Sequence, residues 1–200
     1  MISIVVMIMI REDTFKIMFV GELDVGKTSA IKRFVDGTFM ANLKSTIGVD
    51  FSFKRISVEV NHPEQEQKTA ALQIWDVAGE KRFRDILPFY ISGMKGVILT
   101  FDSTSLLTLV SLHDWLDLIG KYINLKTIPL ILISTKHDLK LNISDKEIYQ
   151  FMKKYNIGYY YQTSSVTGKN IEAVFEKVTQ LMIHGTPQIP SDEYKLLENS

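Results

Sequence analysis

The run Gly21 to Thr28, GELDVGKT, sets two glycines, a lysine and a hydroxyl at the spacing that builds a phosphate cradle. The apolar stretch Phe15 to Val20 before it reads as a buried strand. Ser29 to Phe34 after it keep a helical pattern, so the motif sits where such a cradle must sit, at a strand-to-helix turn. There the backbone N–H groups from Asp24 through Val25, Gly26 and Lys27 to Thr28 point inward as an anion nest at a helix N-terminus, with Ser29 closing the turn. Lys27 is placed to reach the outer phosphates, and the Thr28 hydroxyl to bind Mg²⁺. A chance glycine turn is the alternative, and the strand and helix on either side speak against it. The cradle alone leaves kinases, ATPases and GTPases open.

Three further segments carry side chains suited to a nucleotide. A buried apolar strand ending in Asp76 puts a carboxylate at the sheet's C-terminal edge, where it can hold a metal-bound water, and Gly79 lets the backbone approach a phosphate closely. Asp138, after the strand-like LILI, can accept two hydrogen bonds from guanine N1 and N2. Adenine offers no such pair and would strand the carboxylate. The loop Gln162 to Asn170, QTSSVTGKN, supplies small hydroxyl residues beside it.

Composition narrows the field. Two hundred residues with 46% apolar content suffice for one core, and Lys plus Arg equals Asp plus Glu at 23 each, so charge draws the chain to neither nucleic acid nor an acidic bilayer. Cysteine is absent, which excludes disulfides, thiolate metal sites and prenylation of this sequence. The opening MISIVVMIMI is too short to span a bilayer and lacks the basic flank of a secretory signal. Residues 1–13 are expected as an apolar extension, either packed on the body or making a shallow membrane contact through residues 1–10. The expected location is cytoplasmic, with peripheral membrane attachment as the variant.

Strand-like runs at Phe15 to Val20, Phe51 to Val60, Ala70 to Trp75, Gly96 to Phe101, Leu130 to Ser134 and Gly158 to Gln162 alternate with helical patterns. The expected fold is α/β: a six-stranded, mostly parallel sheet with helices on both faces. Only Phe51 to Val60 and Ala70 to Trp75 lack an intervening helix, so they should form a hairpin with one antiparallel edge. Ile171, Val174, Phe175, Val178 and Leu181 recur at the spacing of one buried helix face. Residues 185–200, with Pro187 and Pro190, read as a loose tail.

With GELDVGKT, STIGVDF (Ser45 to Phe51), IWDVAGEKRF (Ile74 to Phe83), STKHDL (Ser134 to Leu139) and QTSSVTGKN in place, the chain closely resembles the Ras superfamily of small GTPases, the Rab branch in particular, over about residues 14 to 184. The resemblance implies a P-loop NTPase fold binding GTP or GDP with Mg²⁺. It makes Thr46 the switch threonine, which coordinates Mg²⁺ by its hydroxyl and the γ-phosphate by its N–H, so that its loop is ordered with GTP and released after hydrolysis. It places Phe39 edge-on against the guanine, Lys136 along the base plane, Ser165 at guanine O6 and Ser164 as a brace on Asp138. Thr28, Thr46 and, through water, Asp76 become the metal set. Lys27, Thr46, Gly79 and Glu80 take catalytic positions. Effector, exchange factor and activating protein are expected at Thr46 to Phe51 and Trp75 to Tyr90, with Phe51, Trp75 and Tyr90 as an aromatic triad. A role in membrane traffic goes with the branch.

Several positions depart from that pattern. Glu80 stands where hydrolysing members carry glutamine, so it keeps the acceptor for the attacking water but loses the donor and adds negative charge. A neighbouring Lys81 would offset that charge. Leu23 crowds the path of an arginine finger, Leu43 replaces a tyrosine over the γ-phosphate, Thr135 replaces asparagine and Val166 a lysine. The expectation is a GTP/GDP switch that hydrolyses slowly without a partner. The alternative is a hydrolysis-deficient guanine-nucleotide-binding scaffold.

Overall fold

The computed structural model describes residues 12–61, 65–185 and 195–196. Residues 1–11 of the N-terminal extension therefore lie outside the described residues, as does most of the tail, and the last residue assigned to the extension, Asp13, opens the first strand.

Strand β1 (Asp13–Val20) has its inward half wholly apolar, and alternation splits that half between two layers. Ile17 and Phe19 face helices α1 (Lys27–Asp36) and α6 (Ile171–His184), in a core with Ile31, Phe34, Ile98, Ile133, Phe175 and Val178. Met18 and Val20 face the other way, into a core with Val97, Leu99, Phe101, Leu112, Trp115 and Tyr160. Burial on both faces is what near-continuous apolar strands require. The expected face of α6 is fully recovered, with Ile171, Val174, Phe175, Val178 and Leu181 all buried.

The remaining elements are β2 (Val49–Asn61), β3 (Gln65–Val77), a 3-10 turn (Lys81–Ile86) running into α2 (Leu87–Ile91), and β4 (Met94–Asp102). After these come α3 (Leu106–Val110), α4 (Leu112–Gly120), β5 (Leu130–Thr135), α5 (Asp145–Tyr155) and β6 (Tyr159–Gln162). The sheet order is β2-β3-β1-β4-β5-β6, to which β7 (Lys195–Leu196) adds two residues on β6. β2 and β3 pair antiparallel from Val49 with Val77 to Asn61 with Gln65, longer at both ends than the sequence pattern suggested. All other pairings are parallel. The six expected strands thus carry the sheet.

The parallel strands β1, β4, β5 and β6 run in one direction, so the loops after Val20, Asp102, Thr135 and Gln162 gather at one edge, with the end of β3 among them. In open α/β sheets ligands bind at this edge. No described helix is long and apolar enough to cross a membrane.

Candidate functional site

The chain leaves β1 through Gly21, whose φ of +149° and surroundings admit only glycine: a Cβ there would lie 2.1 Å from the Thr100 carbonyl oxygen. Asp24 (φ +58°) and Gly26 (φ +95°) then take left-handed conformations, which turn successive N–H groups to one side before α1 begins at Lys27. Gly26 is the N-cap of α1 and brings no side-chain acceptor, so the helix's first N–H groups stay open toward the cavity.

Lys27 is 5% exposed and donates from Nζ to the carbonyls of Gly21 at 2.9 Å and Glu22 at 2.7 Å. Burial pulls its pKa down to about 8, against the opposing pull of Asp76, Glu22 and Asp24.

At the end of β3, Asp76 is 3% exposed. Its Oδ2 accepts from the Thr28 hydroxyl and, at 3.3 Å, from the Thr46 hydroxyl, while the two hydroxyl oxygens stand 2.9 Å apart. Burial raises the Asp76 pKa, with the hydrogen bonds from Thr28 and Thr46 and the charge of Lys27 working the other way. Its second oxygen, Oδ1, is buried and finds no hydrogen-bond partner among the described residues. Two hydroxyls and a carboxylate meeting at one point, one carboxylate oxygen unsatisfied, form a hard oxygen set of the kind Mg²⁺ takes, so the residues fit that ion.

Gly79 follows three residues later. A Cβ on it would stand 2.2 Å from the Glu22 carbonyl carbon and 2.2 Å from the Leu23 nitrogen, both backbone atoms. The β3 loop and the cradle therefore touch main chain to main chain. The Ala78 N–H donates to Gly48 at 2.9 Å, which fastens the same loop to the segment that carries Thr46.

The far end is built by β5 and β6. Ser164 donates its hydroxyl to Asp138 Oδ1 at 2.6 Å, and the His137 N–H reaches the Thr163 carbonyl at 3.1 Å. Thr135, 2% exposed, donates its hydroxyl to the Val25 carbonyl and approaches the Phe101 carbonyl at 3.1 Å, so the residue standing in place of asparagine ties this loop to the cradle. Lys136 (φ +61°) pairs with Asp102 at 2.6 Å. Burial works against ionisation of Asp102, yet the hydrogen bonds from Lys136 and Thr104 outweigh it and hold its pKa below the ordinary value.

Between these ends lies a cavity of about 330 Å³, within the range of small-molecule sites. Asp24, Gly26, Lys27, Thr28, Ser29, Phe39, Thr46, Gly79, Thr135, Lys136, Asp138 and Ser165 line it, together with Leu23, Leu43 and Val166. Val25, Asp76, Ser164 and Glu80 are not on its wall. The first three support residues that are, whereas Glu80 turns to Arg82, whose Nε lies 2.6 Å from its Oε2. The charge of Glu80 is thus met by Arg82, two residues on, while the adjacent Lys81 stands exposed.

Phe51 and Trp75 pair across the β2–β3 ladder at 5.4 Å between centroids, and Tyr90 stands 5.4 Å from Trp75. Phe51 is 49% exposed, so the triad is a surface feature with Trp75 as its half-buried centre. Sequence reasoning missed two contributors: Asp102, whose position at a strand's C-terminal end was the available signal, and Arg84, for which the sequence carries no signal.

Comparison with known proteins agrees with this architecture. The Ras family model matches residues 16–184. A curated relative, the Ras-related protein Rab-18-B of Danio rerio, is 34% identical over 171 residues, covering 85% of this chain and 80% of its own.

Proposed function

We propose that this chain, which belongs to the Ras family of small GTPases and lies near its Rab branch, is a GTP/GDP switch whose nucleotide fills the cavity between Asp76 and Asp138. One observation carries the reading: a hard-oxygen cluster of Thr28, Thr46 and Asp76 at one end of a single cavity and a braced, exposed Asp138 at the other.

Asp138 would take the guanine N1–H and N2–H, with Ser164 fixing its second oxygen and Ser165 and Phe39 framing the ring. Lys27 would exchange its two carbonyl acceptors for phosphate oxygens, which its depressed pKa favours, since a buried ammonium gains most from an anionic partner. Thr28, Thr46 and, through water, Asp76 would hold Mg²⁺, which would supply charge neutralisation at the outer phosphates. Hydrolysis would break the bond between the β–γ bridging oxygen and the γ-phosphorus as a water oxygen attaches. Glu80 is one residue from Gly79, and it would need to leave Arg82 to accept from that water. An exposed ion pair of this kind is worth about 0–1 kcal/mol, so the move is cheap. The negative charge it brings is not, and slow turnover without a partner follows.

Partners would read the surface from Thr46 to Phe51 and from Trp75 to Tyr90, with a role in membrane traffic supported by the likeness to Rab-18-B. The deciding experiment is nucleotide binding and single-turnover hydrolysis by the purified chain with Mg²⁺. Tight GDP and GTP with slow phosphate release supports the switch. Tight GTP with no release supports the scaffold reading, and displacement of GDP by ATP defeats both.

A further inference from the structure

Arg84 lies on the 3-10 turn, outside the cavity, yet its side chain is only 13% exposed. Its Nη2 is 2.5 Å from Glu22 Oε1, its Nη1 is 3.5 Å from Asp114 Oδ2, and its guanidinium stands 4.7 Å over the Trp115 ring. Nε is buried and finds no partner among the described residues. An arginine held this closely between a carboxylate and an indole is fixed in one rotamer, with the enhanced electrostatics of partial burial.

Glu22 makes the placement consequential. It is the second residue of the cradle, its carbonyl accepts from Lys27 at 2.7 Å, and its backbone is what Gly79 packs against. One residue therefore touches the phosphate lysine, the Gly79 backbone and Arg84. Thr46 likewise stands at Thr28 and Asp76, so the segments that carry Thr46, Gly79 and Arg84 all rest on the cradle or its partners.

We propose that Arg84 is a positioning residue that reads the state of the phosphate cradle: by clamping Glu22 it holds the Gly79–Arg84 turn closed, preferentially with a nucleoside triphosphate, and transmits that state to Trp115. The inference rests on the GTP/GDP reading of the site. Seating Gly79 on Glu22 brings the turn within reach of Glu22, and the clamp in turn favours the seated Gly79. Coupling of this kind must be reciprocal, so weakening the clamp weakens triphosphate retention more than diphosphate retention.

The test measures dissociation of fluorescent GDP and of a fluorescent non-hydrolysable GTP analogue from the full chain with Mg²⁺, for wild type, Arg84→Ala, Glu22→Gln, the double variant and the reversal Glu22→Arg/Arg84→Glu. The ratio of triphosphate to diphosphate off-rates should rise at least about fivefold in each single variant. It should rise no further in the double variant and fall back in the reversal. In a Trp75→Phe background, Trp115 is the sole tryptophan, and its emission should shift on exchange of GDP for the analogue and lose that shift in Arg84→Ala. An unchanged ratio overturns the proposal, including the case in which both rates rise together through damage to the cradle. A wild-type chain that holds neither nucleotide overturns the functional reading as well, whereas tight wild-type binding with an unchanged ratio removes only the clamp.

Discussion

Ser164 donates its hydroxyl to Asp138 across 2.6 Å, joining the loops after β5 and β6, and the pair sits opposite the cradle across one cavity. A carboxylate with one oxygen fixed presents the other in a set direction. Ser164→Ala should speed GDP dissociation by roughly fivefold, about 1 kcal/mol, the net worth of one typical hydrogen bond, while Asp138→Ala should abolish measurable retention. Stopped-flow displacement of fluorescent GDP measures both. Unchanged release in Ser164→Ala would show that Asp138 needs no brace.

Glu80 is predicted to restrain hydrolysis. Glu80→Gln removes the negative charge and restores the amide donor, so single-turnover phosphate release should accelerate on the order of tenfold, a barrier change of about 1.4 kcal/mol. Arg82→Ala should change release by no more than a few-fold, because Glu80 leaves this pair, worth about 0–1 kcal/mol, before it accepts from the water. A rate unchanged in Glu80→Ala would remove this carboxylate from the mechanism.

Gly79→Ala places a methyl 2.2 Å from the Glu22 and Leu23 backbone, where neither neighbour can give way. The β3 loop must then lift from the cradle. Affinity for a non-hydrolysable GTP analogue should fall by at least about tenfold, with a smaller loss for GDP. Titration calorimetry with the two nucleotides distinguishes this from general unfolding, which would cost both equally.

Lys27 makes a pH prediction in nucleotide-free protein. Its folded pKa of about 8 lies below the ordinary 10.5, so between these values the unfolded chain binds more protons at this site than the folded one. Stability contributed by Lys27 therefore rises with pH through that window and is lost as pH falls through about 8. The gain is on the order of 3 kcal/mol. Chemical denaturation of wild type and Lys27→Met from pH 7 to 10.5 should show the extra slope in wild type alone. Bound GDP should erase it, because phosphate oxygens restore the ammonium. An identical pH slope in both proteins would refute the assignment.

The sequence by itself determined the ligand class and the layered sheet. GELDVGKT places a phosphate cradle at a strand-to-helix turn, all of it local, and the unbroken apolar runs of β1, β4 and β5 demand cover on both faces. What spacing cannot state is which side chains meet across long separations. The Glu22–Arg84 clamp spans 62 residues, the Thr28–Asp76 contact 48 and the Thr135–Val25 tie 110. The partner of Glu80 is Arg82 and not the adjacent Lys81, a side-chain pairing that adjacency in the sequence does not fix. Those contacts belong to tertiary structure because they depend on where strands from distant parts of the chain end along one sheet edge. Burial then sets their strength: the same lysine or aspartate in solvent would carry neither the lowered pKa of Lys27 nor the unsatisfied oxygen of Asp76.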